Sequence, residues 1–300
     1  MADKVIKEAI VTSTAKVTDG IYSMWIKDEE IVQNAKPGQF VSLYCKEGSQ
    51  LLPRPISICE IDKENGTLRL VYRVVGKGTE EFSKMNAGDT IRVMGPLGNG
   101  FFMEGKKVIL IGGGIGIPPM LQVAKSLDAE VQVVLGYRDS DLFLKEEFEN
   151  YATVYVSTED GSVGTKGNVI DAIRENNIEG DVIMACGPMP MLRGIKAYAQ
   201  EKGIKAQISL EEKMACGIGA CRPTWEALDL TVPAAALLQG SAAVGPCPSP
   251  GSPAVTGKAL PAWSADAGKM TVKPCQGQVK EKVLGSGAGA WGSGPRTPMF

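Results

Sequence analysis

Over roughly the first hundred residues the apolar positions recur every second residue in short runs. Leu68, Leu70, Tyr72 and Val74 alternate with Arg69, Val71 and Arg73, the period-two pattern of a half-buried strand. Residues 9–17, 21–26, 40–45, 57–61 and 90–94 read as further strands. Turn signals separate them: Asp19-Gly20, Lys36-Pro37-Gly38, Asn65-Gly66 and Ala87-Gly88-Asp89. Residues 78–85 have room for one short helix. About six strands at this spacing predict a small antiparallel β-barrel over residues 1–102.

From Lys107 the period changes. Val108-Ile109-Leu110-Ile111 is a continuous apolar run, as expected of a parallel strand covered on both faces. Comparable runs lie at 131–135, 153–156, 182–185 and 206–210. Helical stretches fall between them at 118–127, 142–150, 167–175 and 188–201. Strand–helix alternation of this kind predicts an α/β domain over 103–210 with a doubly wound parallel sheet.

After residue 221 neither period continues. Of the 79 residues 222–300, 40 are Ala, Gly, Pro or Ser, and Ile, Asn and Tyr are missing. Apart from a weak stretch at 232–238, such a segment buries too little apolar surface to offset its ordering entropy. It is predicted to be a low-complexity tail, either disordered or frame-shifted.

The totals narrow the chemistry. A net charge of −2 offers no basic footprint for nucleic acid, and no apolar run is long enough to cross a membrane as a helix. Met1-Ala2-Asp3-Lys4 is not a secretory signal. The seven cysteines therefore read as cytoplasmic thiols or metal ligands rather than disulfides. Histidine is absent, which excludes Ser-His and Cys-His nucleophile pairs and His-ligated metal. Electron transfer is unaffected, because a flavin or nicotinamide carries that chemistry.

Four motifs follow in order. Arg54-Pro55-Ile56-Ser57 puts a forked cationic donor beside a small hydroxyl, a combination suited to a pyrophosphate. Gly76-Lys77-Gly78-Thr79 places small residues at a helix start, a second candidate phosphate cradle. Each alone reads first as an ordinary turn. Gly112-Gly113-Gly114-Ile115-Gly116-Ile117-Pro118-Pro119 joins the first parallel strand to a helix. It departs from G-x-G-x-x-G, since Ile117 holds the last glycine's place. Ala185-Cys186-Gly187-Pro188 ends the fourth parallel strand, where ligands of such sheets bind. Arg138, after the second, is a candidate contact for a 2′-phosphate or a plain surface residue.

Together these motifs resemble the ferredoxin-reductase-like flavoproteins. The resemblance implies that Arg54, Pro55, Ile56, Ser57, Val71, Tyr72, Arg73, Gly78 and Thr79 line FAD. It implies likewise that Gly112, Gly113, Gly114, Gly116, Pro118, Cys186, Gly187 and Pro188 receive NAD. No side chain is assigned a catalytic role, because the flavin carries the reaction.

Residues 211–221 end in Met214-Ala215-Cys216-Gly217-Ile218-Gly219-Ala220-Cys221, the start of a C-x4-C-x2-C…C [2Fe–2S] loop. This narrows the resemblance to the electron-transfer subunits of class 1B dihydroorotate dehydrogenases, over about residues 5–221. It implies FAD, NAD and a [2Fe–2S] cluster. It also implies a partner, an FMN-containing dihydroorotate dehydrogenase catalytic subunit, in a heterotetramer serving pyrimidine biosynthesis. Small subunits of NADH-dependent ferredoxin:NADP reductases and sulfide dehydrogenases share the layout, and an inactive flavin-binding remnant is the alternative of another kind.

Cys216 and Cys221 match the first two cluster ligands, but Thr224 stands where the third belongs. Cys247 and Cys275 follow at other spacings. Three readings stay open: a frame-shifted or spliced translation, a divergent tail that recruits Cys247 and Cys275, or a half-site supplied by another chain.

Overall fold

Turn-separated alternating strands with one buried face close on themselves when the faces are covered, and the chain does this first. The computed structural model describes residues 5–46, 52–213 and 236–241. Among these, β1 (Val5–Thr18), β2 (Ile21–Lys27), β3 (Phe40–Tyr44), β4 (Arg54–Asp62), β5 (Thr67–Arg73) and β6 (Thr90–Leu97) form a closed barrel. Its order is β1-β2-β5-β4-β3-β6, with every pairing antiparallel. Gly66 takes φ +66 in the β4–β5 turn, a conformation that glycine adopts without strain. Met24, Ile26, Val41, Leu43, Ile58, Leu68, Leu70, Ile91 and Val93 fill the interior.

Two short helices seal the barrel. The period-two reading did not foresee α1 (Glu29–Asn34), which is too short to show a helical period. The Asp28 carboxylate caps it by accepting the Ile31 N–H at 2.9 Å, and Ile31 and Val32 are buried. The second helix, α2 (Lys77–Ser83), buries Phe82.

The second half is a parallel sheet. It comprises β7 (Lys107–Gly113), β8 (Glu130–Tyr137), β9 (Thr153–Thr158), β10 (Thr165–Lys166), β11 (Val182–Cys186), β12 (Lys205–Lys213) and β13 (Ala236–Ser241). Its order is β10-β9-β8-β7-β11-β12-β13. The helices α3 (Ile117–Ser126), α4 (Lys145–Glu149), α5 (Val169–Glu175) and α6 (Met189–Lys202) cover both faces, as double winding requires. Val108 and Leu110 pack with α3 and α4, whereas Ile109 and Ile111 pack with α5 and α6. All four are fully buried, which explains the unbroken apolar run. The chain reverses its winding between β7 and β11, the switch point where such sheets bind ligands.

Two elements differ from expectation. The helix predicted over 142–150 is shorter because Leu144 adopts φ +64, and a turn there buries Phe143 and Leu144. Strand β13 falls inside the segment 222–300 and pairs with β12 in parallel, Ile208 opposite Ala236.

Barrel and sheet meet along an apolar seam. Ile21, Cys59 and Val71 from the barrel join Ile117, Met120 and Leu121 in one cluster. The connecting residues are fixed by Gln207 of β12, which is wholly buried. Its amide accepts the Phe102 N–H and donates to the Phe102 carbonyl, each at 2.8 Å. Arg69 crosses the seam: its guanidinium meets Glu60 on β4 and Glu147 on α4, both at 2.5 Å. Lys125 at the end of α3 pairs with the same Glu60.

Candidate functional site

The first two motifs come together at the barrel. Arg54 begins β4 and Gly78 lies in the first turn of α2. A Cβ added at Gly78 would stand 2.7 Å from Arg54 Nε and 2.9 Å from Cys45 Sγ, so only glycine admits the guanidinium this close. Cys45, buried at the end of β3, is a neighbour that the sequence did not flag. Pro55, Ile56 and Ser57 are half-buried along β4. Thr79 is buried, and its hydroxyl is engaged locally. It accepts from Val75 N–H at 2.9 Å and Gly76 N–H at 3.2 Å, and donates to the Gly76 carbonyl at 3.0 Å. These bonds hold the turn that contains Gly78.

Along β5 the three candidates separate. Arg73 is exposed, whereas Val71 lies in the seam. Tyr72 points into the barrel, stacked on Tyr22 at 6.5 Å and edge-on to Phe82 at 6.3 Å. Burial pushes its phenol pKa well above the ordinary value. The hydroxyl has no hydrogen-bond partner, a cost of about 1–3 kcal/mol that a ligand's polar atom would remove.

The other two motifs meet at the switch point. Gly112 is opposite Cys186 in the β7–β11 register. A Cβ on Gly116 would lie 2.5 Å from the Cys186 carbonyl oxygen and 2.6 Å from the Gly187 nitrogen. One on Gly113 would lie 2.4 Å from Met191 Sδ. These glycines let the two turns touch. Gly114 differs: it has φ +54 and nothing within 4 Å of its Cβ direction, so it faces open space. The helix start contributes few donors. Pro118 and Pro119 have no N–H, and the Ile117 N–H bonds to the Gly114 carbonyl. An anion here would be met by the amides of the glycine turn itself.

Cys186 and Pro118 are buried, Gly187 is half-buried and Pro188 is exposed. Arg138 is exposed just beyond β8. Two buried serine hydroxyls near the strand carboxyl ends, Ser157 on β9 and Ser209 beside Cys186 on β12, also lack partners. Nothing in the sequence pattern marked them. β5 runs beside the Gly114–Gly116 turn, bringing barrel and sheet motifs to one seam. A cleft of about 630 Å³ bordered by Trp25, Lys36, Glu60 and Met103 opens elsewhere on the seam, and no motif residue lines it.

The open Gly114, the Arg54–Gly78 contact and the unpartnered Tyr72 hydroxyl suit two dinucleotide cofactors. The cluster ligands do not form a comparable set. Cys216 and Cys221 lie outside the described residues, and two matched thiolates fall short of the four that a [2Fe–2S] centre takes. Among the described residues no group of three or more His, Cys, Asp or Glu is placed to hold a metal. No helix among them is long and apolar enough to cross a membrane.

Residues 8–102 match the oxidoreductase FAD-binding domain and residues 110–197 the oxidoreductase NAD-binding domain. The dihydroorotate dehydrogenase B (NAD⁺) electron transfer subunit of Listeria welshimeri is 45% identical over 222 residues, covering 71% of this chain and 86% of the relative. The subunit of the same name from Bacillus mycoides is 41% identical over 221 residues, covering 71% and 85%. A solved NADH-dependent reduced ferredoxin-NADP oxidoreductase superposes with a TM-score of 0.65 at 33% identity, covering 71% of this chain and 79% of that one. A ferredoxin NADP⁺ reductase from Neisseria gonorrhoeae, at 19% identity and TM-score 0.57, shares the fold.

Proposed function

Because this chain belongs to the family of dihydroorotate dehydrogenase B electron transfer subunits, we propose that it carries electrons between an FMN-bearing dihydroorotate-oxidising subunit and NAD⁺. The observation that carries the reading is that each motif pair meets, Arg54 with Gly78 and the Gly116 turn with Cys186, the latter turn lying beside β5. FAD, when bound, supplies two-electron exchange with the nicotinamide.

The residues of this chain do the rest. Arg54 neutralises a pyrophosphate with charge-assisted donors, and the α2 turn, held by Thr79, keeps backbone close to it. The Gly112–Gly116 turn offers amides to the second dinucleotide. Cys186-Gly187-Pro188 would contact the nicotinamide at the end of β11. The buried seam of Ile21, Cys59, Val71 and Ile117 would limit the access of bulk water to cofactors bound beside it. The one proton that a flavin takes up with two electrons would come from solvent, and no side chain of this chain is assigned to deliver it.

Assembly with the catalytic subunit as a heterotetramer, a cytoplasmic location and service in pyrimidine biosynthesis follow from the same reading. A [2Fe–2S] step would need two thiolates beyond Cys216 and Cys221, and Thr224 stands where the third belongs. Likeness to the NADH-dependent ferredoxin-NADP oxidoreductase supports a second reading, in which the partner is a ferredoxin-linked subunit.

The test is direct. Purified chain is expected to be yellow with bound FAD, and NADH is expected to bleach the flavin band faster than NADPH in stopped flow. A flavin-free protein removes the FAD assignment of the barrel. A flavin that neither nucleotide bleaches removes the assignment of the sheet domain.

A further inference from the structure

We propose that Arg69, Glu60, Glu147 and Lys125 form an electrostatic clamp that sets the position of the nicotinamide turn relative to the flavin cradle. This rests on the function proposed above.

The clamp lies at one end of three elements whose other ends carry the site. β4 begins at Arg54-Pro55-Ile56-Ser57 and holds Glu60 farther along. β5 holds Arg69 and ends at Tyr72-Arg73. α3 starts directly after the Gly114–Gly116 turn and has Lys125 in its last turn. The clamp thus joins two strands of the flavin side to the helix of the nicotinamide side, and Glu147 adds α4.

Arg69 and Glu60 are enclosed, and the four groups pair with one another. The Arg69 side chain is 13% exposed and that of Glu60 14%. Arg69 Nε also donates to Ser23 Oγ at 3.0 Å, and Nη2 to Glu147 Oε1 at 3.0 Å. Lys125 Nζ lies 5.1 Å from the Tyr151 ring centre. A planar guanidinium bridging two carboxylates fixes direction as well as distance, which a seam of methyl groups does not.

Electron exchange between two rings is steep in distance and alignment, and a displacement of about 1 Å is able to cost about a hundredfold. The variant of choice is Glu147→Gln. Glu147 is the most exposed member at 39%, and its removal leaves Arg69 paired with Glu60. The full chain loaded with FAD is mixed with NADH in stopped flow, and three quantities are read: FAD content, NADH dissociation constant, and limiting rate of flavin bleaching. The expected result is unchanged FAD content, a dissociation constant within about twofold, and a limiting rate lower by about tenfold. The long-wavelength charge-transfer absorbance of the nucleotide–flavin complex should weaken in parallel. Lys125→Met is expected to do the same, and Glu147→Asp, which keeps the charge, to recover part of the rate.

Limiting rates within twofold of the parent in both variants overturn the clamp. So does a rate that falls only in proportion to lost FAD, which marks a role in folding alone. A parent chain that binds FAD but is not bleached by NADH overturns the proposed function, and the clamp with it.

Discussion

Gly116→Ala is the sharpest single test of the site, because its effect follows directly from interatomic distances. The new methyl would stand 2.5 Å from the Cys186 carbonyl oxygen and 2.6 Å from two further backbone atoms. Ordinary contact needs about 3.5 Å or more, so the two turns must part by roughly 1 Å. Backbone at the ends of two central parallel strands does not yield as a side chain would. Overpacking of this kind costs about 1–3 kcal/mol, and each kcal/mol lowers Tm by about 2–4 °C in a chain of this size. The expected fall is therefore roughly 2–12 °C. FAD content should stay at the parent level, since Arg54 and Gly78 are untouched, while bleaching by NADH should slow by tenfold or more. Gly114→Ala is the control for stability alone, because Gly114 faces the space offered to the nucleotide. Its methyl meets nothing, and its cost is the left-handed backbone at φ +54, about 1 kcal/mol. A Gly116→Ala protein with the parent's Tm and the parent's bleaching rate would refute the close packing of the two turns.

Three other outcomes are expected. Arg54→Ala removes a charge-assisted contact worth about 1.5–3 kcal/mol. FAD affinity should then fall by about ten- to a hundredfold, and equal affinity by fluorescence titration would contradict the assignment. Anaerobic reconstitution should leave the chain well short of two irons, since Thr224 replaces a thiolate ligand. A full iron complement whose EPR signal disappears on Cys247→Ser or Cys275→Ser would instead reveal a divergent cluster domain. Burial alone would raise the Glu60 pKa, but pairing with Lys125 and Arg69 outweighs it and holds the carboxyl below the usual range. Its stabilisation is complete above the unfolded value of about 4.3 and is lost as pH falls through the lower folded value. Urea midpoints measured across that acid range should fall more steeply in the parent than in Glu60→Gln, and identical slopes would rule this out.

Much of this architecture is written in local patterns. The period-two runs marked the barrel strands, and Val108-Ile109-Leu110-Ile111 announced a sheet covered on both faces. The glycine motifs were legible because a turn that admits no Cβ leaves a chemical trace. What failed was the reading of β5. Its Arg69–Val71–Arg73 phase reads as a solvent face, yet Arg69 and Val71 are buried against the other domain. Val71 was the available signal, an apolar residue in the polar phase. The ion pairs were not legible at all, since Arg69 and Glu147 are 78 positions apart and only folding joins them. Thr79 was expected among the flavin-lining residues, and its hydroxyl bonds to Val75 and Gly76 are local turn chemistry that composition does not reveal.

Gln207 bears on modularity. The two family matches stop at 102 and resume at 110, an invitation to cut the gene there and trade halves between reductases. Yet Phe102 is held at both its N–H and its carbonyl by an amide from β12, about a hundred residues on. Asp181, ahead of β11, likewise accepts from the Lys106 and Lys107 amides, at 2.8 and 3.2 Å. The stretch between the two halves is thus stitched into the sheet. A chimaera spliced at residue 103 keeps its register only when the donor sheet carries a glutamine and an aspartate at matching positions. Grafting is better done with the joint and its two anchors moved as one piece.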